Sequence, residues 1–301
     1  MSSVPLTEAL PWSPKCNRKV LVCDSVETDG RFLLHTLCTQ VLAGNGRVLW
    51  LTGGPITETQ VATGLKKIGC DAATGYLRNG ASPSLNIKSL AVEIATQTLV
   101  ADDQAAWNAE AYLKKIYQDI KTWVQVQQQD DSKGGPSWLL LDDVSALASL
   151  VGDRLVYCFV DSLSALASRW GEHSFGLMIR CSNDIDQEFL KEQALNDNNT
   201  NSGWVGAGGQ SRDLQRQEWI PWERHLVELA DGIVDVVPLT SGFSREAHGR
   251  LIFSERPGGQ GWSDGNNSST QATSTPWNKL VINYCIQDNS VRAIRLRGAS
   301  S

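Results

Sequence analysis

LVCDSVETDGRFLLHTLCTQVL, residues 21–42, carries the decision about the fold. Its first residues extend a short apolar run from about Lys19 to Cys23, the signature of a buried strand. A polar loop follows. From Arg31 the apolar positions fall at Phe32, Leu33, Leu37, Val41 and Leu42, one stripe of a 3.6-residue period, which AGNG then stops. Strand, polar loop and helix make the unit on which nucleotide-binding proteins hang a phosphate cradle. A working P-loop needs Gly-x-x-x-x-Gly-Lys-Ser/Thr there: glycines so that backbone amides can wrap the phosphates, lysine for their oxygens, a hydroxyl for Mg²⁺. Aligning the second glycine on Gly30 places Ser25 at the first glycine, Arg31 at the lysine and Phe32 at the hydroxyl. Of the four key residues only Gly30 is kept. Glu27 and Asp29, with Asp24 at the base, bring negative charge to the positive end of the helix, where a phosphate would otherwise sit. Asp29 reads as a helix cap, and the loop as a degenerate cradle that lacks a working P-loop.

Outward from this unit the pattern repeats. RVLWLTG (47–53) is a second apolar strand, and TETQVATGLKKIG (57–69) a short helix with a threonine lead and a glycine stop. Residues 103 to about 128 keep a helical period through Leu113, Ile116, Tyr117, Ile120, Trp123 and Val124. SWLLLDDVSAL (137–147) is an unbroken apolar run ending in two aspartates, as in a central parallel strand covered on both faces. A helix (153–170), the strand SFGLMIRCS (174–182) and a helix at about 222–230 come next. The strands GIVDVVPL, GRLIFSE, WNKLVINYCI and SVRAIRLRG then follow one another without a helix. Alternation followed by consecutive strands predicts an α/β fold: a mostly parallel central sheet with helices on both faces and an antiparallel C-terminal extension. One domain is expected over 17–301, after a loosely ordered lead-in at 1–16. Two windows rich in Gly, Ser, Asn and Thr, 196–213 and 258–276, read as disordered insertions.

LLLDDVS (139–145) also matches the strand-plus-aspartate of an NTPase's second motif, with Asp142 or Asp143 as the would-be Mg²⁺ ligand. The plainer reading has Asp143 capping a helix that begins at Val144, and it is preferred, because a metal ligand without a cradle has nothing to serve. The four histidines, His35, His173, His225 and His248, show no i, i+4 pairing with one another or with cysteine. His35 reads as a packing residue. TSGFSREAHGRLIF (240–253) is a connection holding Phe243, Arg245, His248 and Arg250, a compact basic element that could touch RNA or a partner subunit. A solvated hairpin turning at His-Gly explains it equally well. In VRAIRLR, Arg292, Arg295 and Arg297 suggest either a charge-protected edge or a docking surface.

The 301 residues carry 33 acidic and 27 basic side chains, a net charge of -6 that repels phosphate backbones and disfavours a free-standing nucleic-acid binder. The seven cysteines include no Cys-x-x-Cys pair, and several lie in apolar runs, so a reducing compartment, cytosol or nucleus, and no zinc are expected. The N-terminal twenty residues contain no signal-like apolar stretch, nor does any window reach membrane-spanning length. A soluble chain without membrane contact follows as an expectation, and no cofactor is called for.

LVCDSVETDGRFLLHTLCTQVL, LLLDDVSALASLVG, SGFSREAHGRLIF and YCIQDNSVRAIRLRG, in this order, resemble the sixth-subunit family of the Elongator complex, from about residue 18 to the C-terminus. The resemblance implies a RecA-like domain without standard nucleotide motifs, a non-catalytic subunit rather than an enzyme. It implies a hetero-hexameric accessory ring built with two paralogous subunits, two copies of each, docked on Elongator's catalytic core. It further implies a role in wobble-uridine modification of tRNA, with tRNA bound by the assembled ring. An active RecA-like ATPase of recombination or signalling, and a pseudoenzyme scaffold unrelated to tRNA, are the rival readings.

Overall fold

A computed structural model describes residues 2–12, 18–25, 27–70, 84–100, 107–128, 135–169, 175–182, 222–239, 244, 246–256, 278–287 and 290–295. The first half comprises β1 (Ser2–Pro5), α1 (Leu6–Ala9), β2 (Lys19–Asp24), α2 (Arg31–Ala43), β3 (Arg47–Thr52), α3 (Glu58–Lys67), β4 (Leu85–Ser89), α4 (Leu90–Val100) and α5 (Ala109–Gln128). The second half comprises β5 (Ser137–Asp142), α6 (Val144–Val151), α7 (Asp153–Arg169), β6 (Phe175–Ser182), α8 (Trp222–Leu229), β7 (Gly232–Pro238), β8 (Gly249–Glu255), β9 (Asn278–Gln287) and β10 (Ser290–Arg295). Among the described residues these strands form one ten-stranded sheet in the order β1-β10-β9-β8-β7-β2-β6-β5-β3-β4. From β7 to β4 every pairing is parallel, and from β7 to β1 every pairing is antiparallel. The expected α/β class, mostly parallel sheet and antiparallel extension are therefore present, in an arrangement compatible with a Rossmann or RecA-like fold.

Side-chain alternation divides the sheet between two cores. Val20, Val22, Val48, Trp50, Leu140 and Met178 face α1, α2 and α3, and their neighbours Leu21, Leu49, Leu51, Leu139, Leu141 and Leu177 face α4 to α8. Continuous apolar runs are what two covered faces require, and all six residues of β5 are buried. The helix boundaries have local causes. Thr57 and Gln60 form a reciprocal capping box at the start of α3. Asn108 accepts a hydrogen bond from the Ala111 amide at 2.9 Å at the head of α5, so that helix starts later than the apolar period suggests. Gly44 ends α2, and Asn45 takes a left-handed φ of 56° beside it.

Three expectations are corrected. The N-terminal lead-in is ordered over residues 2–12: β1 pairs with β10, and Leu6, Leu10 and Trp12 are buried in the first core. Gln40 of α2 holds it from both sides, accepting from Trp12 Nε1 at 3.1 Å and donating to the Thr7 carbonyl at 2.7 Å. The partner strand lies almost 300 residues downstream, out of reach of any local pattern. For the same reason β10 is not an edge: it lies between β9 and β1, while Arg297 is outside the described residues. The edge at the other end of the sheet is β4, which with α4 occupies a stretch where no element was expected. The windows 196–213 and 258–276 lie outside the described residues. Among the described residues no helix is long and apolar enough to cross a membrane.

Candidate functional site

The carboxyl ends of the parallel strands deliver Asp24 from β2, Asp142 from β5 and Arg180 from β6 to one place. In open α/β sheets this edge is where ligands bind. Arg180 is the centre. Its Nη1 donates to Asp24 Oδ2 at 2.7 Å, and its Nε donates to Asp142 Oδ1 at 2.5 Å. Asp143 Oδ2 and Asp29 Oδ1 lie within 3.6 and 3.7 Å of the same guanidinium. The second oxygen of Asp142 accepts from Arg31 Nε at 3.1 Å, so a fully buried carboxylate is shared by two arginines. Burial by itself would lower the Arg180 pKa, but the carboxylates of Asp142 and Asp24 outweigh it and hold the guanidinium firmly protonated. Burial pushes the Asp24 carboxyl above its ordinary value, with Arg180 and the Gly30 amide acting the other way.

The loop before α2 is closed on itself. Ser25 and Thr28 exchange backbone hydrogen bonds at 3.4 and 3.0 Å, and the Thr28 hydroxyl donates to the Val236 carbonyl of β7 at 2.7 Å. The Gly30 amide donates to Asp24 Oδ2 at 2.7 Å and the Arg31 amide to Asp29 Oδ1 at 2.9 Å. The N-cap of α2 is Gly30 and not Asp29 as expected, although Asp29, one residue earlier, binds the first helical amide and Asp24 binds that of Gly30. The amides of Ser25, Thr28, Gly30 and Arg31, which a phosphate cradle would turn toward its ligand, are already bonded within the protein. Gly30 is required sterically as well. A Cβ there would meet Val22 Cγ1 at 3.0 Å, Val236 Cγ2 at 3.1 Å and Asp24 Cβ at 3.2 Å. Phe32, the residue at the hydroxyl position, is buried and packs on Tyr284 of β9 with ring centroids 4.8 Å apart.

Of the two candidate metal ligands, Asp142 is spent on the arginines. Asp143 caps α6 as expected, accepting from the Ala146 amide at 3.1 Å from a left-handed backbone with φ 58°. His35 is a packing residue: Nδ1–H donates to the Arg31 carbonyl at 3.0 Å, and the ring lies 5.0 Å from that of Trp50. Its Nε2 faces Gly64 of α3, where a Cβ would come within clashing distance. Burial lowers its pKa to about 4, so it is neutral at physiological pH.

β7 runs parallel to β2, so its end at Pro238 lies at the same edge of the sheet. Phe243 and Arg245 lie outside the described residues. His248 is a tie to β9: its Nδ1 accepts from the Ile286 amide at 3.0 Å, and its own amide donates to the Tyr284 carbonyl at 2.8 Å. Arg250 sits within β8, its Nε buried without a hydrogen-bond partner among the described residues.

Sequence reasoning passed over Arg180 and Thr28. Arg180 had a signal: a charge inside the apolar strand FGLMIRCS must find a counter-charge or stay out of the core. Thr28 had none, because its partner is a backbone carbonyl 208 residues away. Neither protein-family models nor curated proteins yield a match to this chain.

Proposed function

We propose that the protein is a non-catalytic RecA-like subunit of the Elongator accessory ring, which assembles with two paralogous subunits and helps the ring bind tRNA for wobble-uridine modification. The observation that carries the non-catalytic part is the Arg180 guanidinium between Asp24 and Asp142. A protein cation stands among the carboxylates at the edge where an NTPase holds Mg²⁺, and the helix-start amides bind aspartates in place of phosphate. Exchanging that arrangement for a metal and a nucleotide would mean breaking buried charge-assisted hydrogen bonds without an evident replacement. The assembly part rests on the four ordered sequence segments that resemble the family, and the tRNA part on that resemblance with the net charge of -6: such a chain needs partners to complete a basic surface.

Two measurements test the two halves. Titration of the isolated chain with Mg-ATP in a calorimeter should give no saturable heat, and a micromolar site on the monomer would overturn the non-catalytic reading. Affinity purification from cells should bring down Elongator subunits. An eluate of recombination or signalling proteins in their place would sink the ring assignment. Within the ring, Arg245→Ala should leave a six-subunit mass intact while weakening tRNA binding and flattening its salt dependence, and a ring that falls apart would assign the residue to assembly.

A further inference from the structure

A cleft of about 280 Å³ opens next to Arg31, between α2, α3 and the adjoining ends of β9 and β10 at Ile286, Gln287 and Val291. It borders the ion network, with which it shares Asp29 and Arg31. Its inner wall is apolar and buried, with Phe32, Val61 and Val291 at 8, 1 and 7 % exposure, and the His35 ring lies beside them. Phe32 supplies a flat aromatic group backed by Tyr284, while His35 is packed against Trp50 and Gly64. Ile286, 43 % exposed, is an apolar rim residue. The polar lining is unequal in sign. Lys67 is exposed and makes no hydrogen bond or ion pair with a described residue, whereas Arg31 turns Nε and Nη1 to Asp142 and Asp29 and keeps its remaining nitrogen.

We propose that this cleft binds a small aromatic monocarboxylate, with the flat ring against the apolar lining at Phe32 and Ile286 and the carboxylate at Lys67 and the unused edge of Arg31. The size restricts the ligand, because the volume lies at the lower end of the roughly 300–1,000 Å³ of small-molecule pockets. Charge restricts it further. Asp29 lines the mouth, and Asp142 stands behind Arg31, so a di- or trianion meets repulsion that one carboxylate opposite Lys67 does not. An apolar wall with few polar groups at one side suits a ring with a single acidic substituent. The cleft is formed wholly within this chain, so the proposal stands whether or not the ring assembles.

The test is ligand-observed NMR on the full chain with indole-3-acetate, indole-3-acetamide and uridine monophosphate as probes. Indole-3-acetate should saturate at about 0.1–1 mM, and the uncharged amide should bind about tenfold more weakly. Lys67→Ala, at an exposed position that leaves the core untouched, should lose about the same factor for the acid and nothing for the amide. Ile286→Asp, placing a carboxylate at the rim, should abolish binding of the acid. Equal binding of acid and amide, an unchanged affinity in Lys67→Ala, absence of saturable binding by the acid, or tighter binding of uridine monophosphate would each overturn the proposal.

Discussion

Two buried ionisable groups, Arg180 on β6 and His35 on α2, solve the same physical problem in opposite ways. Arg180, with its side chain 7 % exposed, keeps its charge and is surrounded by aspartates. His35, 8 % exposed, gives up its charge and is packed between Trp50 and Gly64. Each guanidinium hydrogen bond is charge-assisted and compensates the desolvation of two partners, which no neighbour of Nε2 does for an imidazolium. The contrast teaches that the edge of the sheet beneath α2 handles charge by pairing at one point and by exclusion at the next. The buried carboxylates of Asp24 and Asp142 are paired within the protein at Arg180, and one turn along α2 from Arg31 charge is excluded at His35.

Removing the centre of the network should have the largest effect. Arg180→Met leaves the buried Asp24 without its cation and Asp142 with Arg31 alone, and should cost about 3–5 kcal/mol in urea unfolding. Adding Asp24→Asn and Asp142→Asn should recover most of it, because a neutral trio no longer carries unpaired charge. A loss near the ~0–1 kcal/mol of surface ion pairs would show that the network is not what holds this edge.

His35 supplies the next effect, through pH. Its folded pKa of about 4 lies below the unfolded value near 6.5, so the unfolded chain binds more protons between them. The contribution is fully present above about pH 6.5 and is lost as pH falls toward 4, by about 3 kcal/mol in all. Comparing the pH dependence of unfolding for the native chain and His35→Phe isolates this component. Parallel profiles down to pH 4 would mean that the imidazole titrates normally.

Gly64→Ala should be smaller, since overpacking against His35 costs about 1–3 kcal/mol while the helix gains about 1 kcal/mol from alanine. With His35→Ala in the background the sign should reverse, and additive effects would show that the two residues do not press on each other. Smallest is the cap of α6. Asp143→Ala should cost about 1 kcal/mol, and Asp143→Asn, which keeps an acceptor and tolerates the left-handed backbone, about half of that or less. Thermal midpoints of the two variants decide this, and equal losses would assign the residue's contribution to its charge near Arg180.

Much of the framework was legible because its causes are local. Apolar runs marked the parallel strands other than β4, and a threonine, an aspartate and a Gly-Asn-Gly stop marked helix ends where the backbone itself needs caps and turns. The departure of Ser25, Arg31 and Phe32 from the phosphate-binding pattern was legible for the same reason, since it is carried by residue identity. The N-terminal strand, the interior position of β10 and the edge strand β4 were not legible, since each depends on which distant segment lies alongside.

Sequence by itself determined the class of the fold, the two-sided burial of β5, the cap at Asp143 and the mismatch at each P-loop position save Gly30. These follow from periodicity and from chemistry that a residue carries with it. Tertiary structure alone decided that Arg180 meets Asp24 across 156 residues and Asp142 across 38, that Thr28 is tied to β7, and that His35 is held neutral under Gly64. A charge is stabilised or penalised by what lies within a few ångströms, and the order of strands in the sheet, not the order of residues in the chain, sets those neighbours.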